Sequence, residues 1–423
     1  MNAASRILPL RETITPANQA AVAEAVAEAH RTVTAVYPLG GQTGLCYGAR
    51  PTTPGLGLSL SRLGALIDYP ARDLTITVEA GMTVAELGRR LASEGQRLPV
   101  DVPQPERATV GGAVATNPSG PRRQRRGTLR DHVIGLRAVD GRGTAFSAGG
   151  RVVKNAAGYN LCRLLTGSLG TLAVVTQVTL MIKPAPEASA WAVCELPDWA
   201  AAERLLAALV ETETLPAAVE LLAGPVWADD PALGPPSVSH AVRLAVGFEG
   251  TRAEVDWMLD AIRREWASLG VRAAADIRAA AADKLWARLR EFASVDPESD
   301  AAAPLVAAVH VLPSRVVLAA EHIARFDPGS SIESHAGEGV IRVRFSLPAA
   351  EVAIGLEGPL RAAVGKTGGS LVVTSWPNGG RDQAPIATRR MIWGAETEAG
   401  GVMLAIKKQF DPAGILNPGR FVY

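Results

Sequence analysis

Tyr37-Pro-Leu-Gly-Gly-Gln-Thr-Gly44 is a glycine-dense stretch that directly follows an apolar-rich run at residues 32–36. Gly40, Gly41 and Gly44 fall within five residues, so the backbone is free to turn sharply and bring its N–H groups close to an anion. A pyrophosphate fits such a loop, and so does a plain strand-to-helix turn. Two further clusters tip the balance: Thr109-Val-Gly-Gly-Ala-Val-Ala-Thr-Asn-Pro-Ser-Gly120 and Gly167-Ser-Leu-Gly-Thr171. Three such loops in one region point to one long ligand that carries phosphate.

A chain of 423 residues is long enough for two to three domains with well-buried cores. Its 43 basic and 42 acidic residues nearly cancel, so charge gives no reason to expect nucleic acid as a partner. Cys46, Cys162 and Cys194 are odd in number, far apart and in no CxxC pattern; neither a disulfide framework nor an iron–sulfur or zinc site is indicated, and a reducing cytoplasm fits. The six histidines form no HxH, HExxH or HxxxH pattern, so no protein-built metal site is expected. The most apolar run, residues 169–182, is too short to span a bilayer, which leaves membrane association to partners.

Around the first loop the pattern alternates. Thr15-Pro16 reads as N-cap and first position of a helix reaching His30. Residues 74–78 read as a strand, and Thr83-Val-Ala-Glu86 as a capping box opening a helix to about residue 93. Residues 133–139 and 172–182 are further strands. Arg122, Arg123, Arg125, Arg126 and Arg130 form a basic run suited either to a solvated loop or to phosphate, carboxylate or partner contacts. Lys183-Pro184-Ala185-Pro186 marks a boundary, since prolines end strand pairing. Beyond it, helices are predicted at residues 199–213, 252–269, 273–292, 314–324 and 403–409, with strands at 191–196, 241–248, 309–312, 339–347 and 371–374. This alternation predicts an antiparallel sheet covered by helices on one face. Two motifs fail on their own terms. Gly55-Leu56-Gly57 lacks the third glycine of a dinucleotide fingerprint, because position 60 is Leu60, and Gly365-Lys366-Thr367 lacks the first glycine of a P-loop.

With the three loops located, residues 9–186 and the tail resemble the FAD-binding domain of the vanillyl-alcohol-oxidase and p-cresol-methylhydroxylase superfamily. The resemblance implies an α+β protein: a two-part FAD-binding domain of the p-cresol-methylhydroxylase type at residues 1–186, an α+β cap or substrate domain at 187–385, and a segment at 386–423 returning to the FAD domain. It implies that Pro38, Gly40, Gly41, Gln42, Thr43 and Gly44 wrap the pyrophosphate. Thr109, Val110, Gly111, Gly112, Asn117 and Gly120 would lie along the flavin, Gly170 and Val174 near the adenine, and Gly127, Thr128 and Asn417 would complete the cofactor site. The FAD is expected to be held without a covalent bond, since Gln42 stands where covalently linked members place a histidine.

Arg151-Val-Val-Lys-Asn-Ala-Ala-Gly-Tyr-Asn-Leu161 and Ile392-Trp-Gly394 are most similar to the FAD-binding E subunits of bacterial glycolate oxidases. That implies oxidation of glycolate, a small 2-hydroxy acid, to glyoxylate, with a second flavoprotein subunit and an iron–sulfur subunit as partners. A self-sufficient D-2-hydroxy-acid (lactate-type) dehydrogenase, or a non-catalytic FAD-binding assembly or electron-relay subunit, are the alternatives. Catalytic relatives carry a motif of the form His-Ala-Gly-Asp-Gly-Asn-Leu-His; the matching stretch here is His335-Ala-Gly-Glu-Gly-Val-Ile-Arg342. His335 and Arg342 are thus the candidate catalytic residues, one to take a proton and the other to bind a carboxylate, with Arg344 as a further carboxylate ligand.

Overall fold

A computed structural model describes residues 3–150, 159–235, 242–271, 274–295, 304–377, 387–395 and 398–423. The helix Gln19–Thr32, which follows a short one at Ala3–Ile7, buries Val22, Val26 and Ala29, which recur at helical spacing. Its N-cap is Asn18, whose side chain accepts from Ala21 N, and Thr15-Pro16 lies outside it. An asparagine one turn later supplies the capping oxygen, and the expected start is corrected accordingly.

The first glycine loop hangs from the strand Ala35–Leu39. That strand pairs in parallel with Gly55–Ser59, which pairs in parallel with Leu10–Ile14. The failed fingerprint at Gly55-Leu56-Gly57 is therefore the central strand of a small sheet, and its glycine has a steric reason: a Cβ on Gly55 would stand 2.3 Å from Ala35 O. A second sheet, antiparallel, runs in the order Leu66–Asp68, Thr75–Glu79, Ala173–Met181, Val133–Asp140, Ala145–Gly149. Between the two sheets lies one apolar core to which Val36, Leu58, Ile76, Val178 and Leu416 all contribute. Leu416 arrives from the tail, where Val36 N donates to Ile415 O and Asn417 N donates to Val36 O.

The second region is an eight-stranded antiparallel sheet. Its order is Ala274–Arg278, Ala188–Leu196, Val242–Gly250, Ala218–Ala223, Ser331–His335, Val340–Arg344, Val306–His310, Ser370–Ser375. Trp199–Ala208, Arg252–Ser268, Val316–Phe326, Ala349–Glu357 and Pro359–Lys366 cover one face in a single core. Two helices among the described residues depart from the one-faced arrangement, the short Pro225–Ala228, whose Trp227 is buried on the opposite face, and a longer one. Ala279–Glu291 packs on the opposite face, with Trp286 4.2 Å from Trp191 between ring centroids. The expected helix at 273–292 is in fact the strand Ala274–Arg278 followed by this helix, because pairing with Ala188–Leu196 overrides the helical preference of alanine.

The rest of the second face looks at the first region and is polar. Strand alternation places Glu220, Glu333, His335, Arg342 and His310 on that face, while Leu221, Ile332, Ile341 and Val309 point into the helical core. The basic run meets it and is not a solvated loop. Arg122 binds Asp101 at 2.5 Å and Glu249 at 2.7 Å and lies over the Trp286 ring at 4.1 Å, and Arg97 grips the same Glu249. Glu249 sits in the large sheet and Arg97, Asp101 and Arg122 in the first region, so this buried cluster joins the two. No helix among the described residues is long and apolar enough to cross a membrane.

Candidate cofactor and substrate clefts

Beyond Leu39 the chain turns through Gly40–Gly44 without an internal bond to hold it. The N–H groups of Gly41, Gln42, Thr43 and Gly44 have no acceptor among the described residues, although these residues are only partly exposed. Orphaned donors in series form an anion-binding nest. The loop cannot be built from other residues: a Cβ on Gly41 would lie 1.7 Å from Arg107 O, and one on Gly40 2.3 Å from Thr109 Oγ1. Gln42 has φ 61°, and its Oε1 accepts from Ala4 N.

Thr109-Val-Gly-Gly, read from sequence as a loop, starts the short helix Val110–Thr116, with Thr109 Oγ1 accepting from Gly112 N. Gly111 packs against Ala80, whereas a Cβ on Gly112 would meet only that threonine hydroxyl. Gly167 N and Leu169 N donate to Val114 O and Ala115 O, which sets the third turn beside this helix. Asn417 Nδ2 donates to Leu169 O at 2.7 Å, and Lys407 Nζ donates to Thr171 O and Leu416 O and pairs with Asp411, so the tail is fastened to the same turn.

These pieces form an open cleft lined by Pro38, Gly40, Gly41, Gln42, Thr43, Gly44, Thr109, Gly111, Gly112, Gly170, Val174 and Asn417. Val110, Gly120, Gly127 and Thr128 are not on its walls. Val110 is buried in the core, Gly120 abuts Asp101, and Thr128 and Gly127 pack on Asp131. Asn117 lines a second cleft, which joins the first through Thr43, Gly44 and Thr116. The Arg151-Val-Val-Lys stretch, residues 151–158, lies outside the described residues. Trp393, of the Ile392-Trp-Gly394 motif, packs against Tyr47, a residue of the second cleft, with ring centroids 5.6 Å apart and the planes tilted at 45°.

The second cleft is the more telling one. Arg123, Arg130, Arg290, Arg342 and His310 line it, and no aspartate or glutamate does among the described residues. Arg342 donates to Ser119 O across the gap between the regions, and behind it Glu333 lies 3.8 Å away. Arg344 is turned away, toward Phe292 O. His335 is on the same sheet face as Arg342 but not on the cleft wall: it is fully buried, its Nδ1 lies 2.9 Å from Glu220, and its Nε2 has no partner among the described residues. Burial, then the charges of Arg342 and Arg123, press its pKa well down, so the ring is neutral. Burial likewise raises Glu333 to about 8 and Glu220 well above the carboxylate range.

Glu220, Glu333 and His335 bring three ligand atoms within 4.8 Å of one another, a grouping that histidine spacing in the sequence does not reveal because the members sit on neighbouring strands. His310, Arg290 and Arg123 escaped the sequence reading as site residues. The basic run was a signal for Arg123; for His310 and Arg290 only the folded sheet and the helix beside it supply one.

Comparison with known proteins accounts for both halves. The family described as FAD binding domain matches residues 11–160, and that described as FAD linked oxidases, C-terminal domain, matches 185–354 and 390–421. The chain belongs to the FAD-linked oxidase family. FAD is its cofactor, and the nest of free N–H groups, the glycine-walled cleft and the tail asparagine suit a dinucleotide. The chain of this FAD-linked oxidase is 32% identical over 212 residues to glycolate oxidase subunit GlcD of Bacillus subtilis, covering 49% of this chain and 45% of that one. It is 40% identical over 141 residues to glycolate oxidase subunit GlcE of Escherichia coli, covering 33% and 40%. With D-2-hydroxyglutarate dehydrogenase of Xanthomonas citri it shares 38% over 165 residues, covering 39% and 35%. The chain thus spans less than half the length of the curated relatives it matches. A solved alkyldihydroxyacetonephosphate synthase shares the fold, with a TM-score of 0.69 at 18% identity over 97% of this chain and 77% of that one.

Proposed function

We propose that this FAD-linked oxidase oxidises a small 2-hydroxy acid, glycolate or a close relative, to the 2-oxo acid as the FAD-binding subunit of a glycolate-oxidase-type complex. One observation carries the reading: the cleft contiguous with the cofactor site is walled by four arginines and a histidine and by no acid among the described residues. Such a site favours a carboxylate, and the planar guanidinium holds it in two-point fashion. Arg342 is best placed to do so, because its anchoring to Ser119 O and Glu333 fixes its direction. FAD, when bound, supplies the oxidising equivalents that no side chain can. The chain's own residues orient the acid, exclude bulk water and receive the hydroxyl proton.

The partners in this reading are a second flavoprotein subunit and an iron–sulfur subunit, as the relatives named glycolate oxidase subunits suggest. The cysteines support that division of labour. Cys162 is buried in the short helix Leu161–Leu165 and Cys194 in the strand Ala188–Leu196 of the large sheet, and no CxxC pattern offers a relay for electrons within this chain. The relatives named D-lactate and D-2-hydroxyglutarate dehydrogenase favour the second reading, a self-sufficient dehydrogenase. Anaerobic titration of the flavin-loaded chain with glycolate, D-lactate and L-lactate tests the first proposal through loss of flavin absorbance. Turnover with a dye acceptor then separates the two readings: a rate of about 1 per second or more from the lone chain is that of an ordinary complete enzyme and sinks the subunit reading. Activity that appears only on co-expression with the two partner subunits supports it.

A further inference from the structure

We propose that His310, and not His335, is the group that accepts the hydroxyl proton of the bound 2-hydroxy acid, beside a carboxylate held by Arg342 and Arg123. The inference rests on the 2-hydroxy-acid reading above. Sheet register sets the geometry. Glu220, His335, Val340 and His310 lie in one row across four strands, directly opposite one another in turn; Leu222, Glu333, Arg342 and Ala308 form the next row. Opposed residues share a face, so His310 faces the first region together with Arg342, one row away, or roughly 7 Å along the strands.

The two histidines of that row are not equivalent. His335 is fully buried and its ring is bound to Glu220, whereas His310 is on the wall of the arginine-lined cleft. A general base must reach the proton it removes, directly or through one water, and only His310 meets that condition here. Its ring has no partner among the described residues. The ring is exposed to water on the cleft wall, and the small side chain of Ala308 leaves room next to Arg342.

The groups around the ring set its protonation. Arg342 faces it from the neighbouring strand, Arg123 from the helix Arg123–Arg126, and His335 from its own row; Ser370, opposite on the edge strand, is uncharged. Glu338 is engaged by Arg123 at 3.4 Å. Burial and then the two arginines lower the pKa of His310 from its ordinary value, so it is a free base at neutral pH. In the step itself the substrate O–H bond breaks with its proton passing to the imidazole. The C2–H bond breaks with its electron pair leaving as hydride, and the C–O bond becomes double. The acid is oxidised, and the oxidant is the FAD this family carries. The arginines that keep the ring neutral also disfavour the imidazolium, so the proton is returned to solvent at the cleft mouth.

The test uses the flavin-loaded full chain, with oxalate as an unreactive dianion. In wild-type protein, proton NMR of the six histidines, with His310 assigned from the spectrum of His310→Gln, is expected to show His310 titrating below pH 6.5 and shifting upward when oxalate binds. A His310 signal indifferent to oxalate overturns the proposal without any activity measurement. In stopped-flow reduction, His310→Gln and His310→Asn are expected to bind oxalate within about threefold of wild type. Both are expected to slow flavin reduction by at least about 100-fold and lose the acid limb of the pH–rate profile. Reduction within threefold of wild type overturns the assignment, as does an acid limb that persists in His310→Gln but vanishes in His335→Gln. If no 2-hydroxy acid bleaches wild-type flavin, the functional reading itself fails and takes this assignment with it. Bleaching that survives the His310 substitutions sinks the assignment alone.

Discussion

Gly111 and Gly112 stand side by side, yet they answer to different constraints. A Cβ on Gly111 would be 2.7 Å from Ala80 Cβ and 3.0 Å from Ala80 O, so that glycine serves helix–strand packing. A Cβ on Gly112 meets only Thr109 Oγ1, at 3.1 Å, and both residues line the glycine-walled cleft proposed for the cofactor. Gly112→Val is therefore expected to keep its circular dichroism spectrum while losing at least tenfold in FAD affinity, read from flavin retained on desalting. Gly111→Ala is expected to lower stability by about 1–3 kcal/mol through overpacking, measured by chemical denaturation. If Gly112→Val loses its helical signal along with its flavin, the position is structural. Gln42 leads to another expectation. It holds Ala4 N and offers no nucleophile, so acid precipitation should release yellow flavin into the supernatant, and colour kept in the pellet would rule out a non-covalent link. These glycines could be read from the sequence because clustered glycines are a local signal of close backbone approach. His310 and Arg290 could not, since what makes them site residues is a neighbour supplied by strand pairing or by a helix far away in the chain.

The same contrast separates the secondary-structure elements. The helices at Arg252–Ser268 and Val316–Phe326 were readable because the capping box of the first and the apolar stripes of both are local signals. Ala218–Ala223 and Ser331–His335 were not: the first has no clean alternation, and the second carries serine, glutamate and histidine on a strand buried along its whole length. Ala274–Arg278 is strand only because it completes a sheet edge. The tail shows how one element can complete a site formed by others. Lys407 is buried, with its ammonium on Thr171 O at 2.7 Å, Leu416 O at 2.9 Å and Asp411 at 2.5 Å. Lys407→Met leaves Asp411 without its cation, and breaking a buried pair from one side costs about 3–5 kcal/mol. Because Asn417 follows in the same segment and lines the cofactor cleft, FAD affinity and melting temperature are expected to fall together. A drop in stability with flavin binding unchanged would show that the tail does not hold the cofactor.

How the two regions are joined decides whether the clefts remain one site, and the joint is electrostatic. Glu249 projects from the large sheet between Arg97 and Arg122, with its side chain fully buried. Burial alone would raise its pKa, but the hydrogen bond from Arg97 and the charge of Arg122 outweigh that and hold it at about 2. Its ordinary value is 4.5. A carboxyl depressed in the folded state contributes stability that is fully present above pH 4.5 and lost as the pH falls toward 2. A depression from 4.5 to about 2 corresponds to about 3 kcal/mol. Glu249→Gln removes the charge and leaves two buried guanidinium groups short of a partner, so it is expected to be less stable than wild type by that order at pH 7. Between pH 4.5 and 2 the gap should close, because wild type loses what the variant already lacks. Trp286, stacked under Arg122, reports the region in guanidinium unfolding followed by fluorescence. Buried ion pairs can also be neutral in sum, since desolvation opposes their attraction. Curves for the two proteins that coincide at pH 7 would place this joint in that class, leaving the contact of Arg342 with Ser119 and the packing around Trp286 to hold the clefts together.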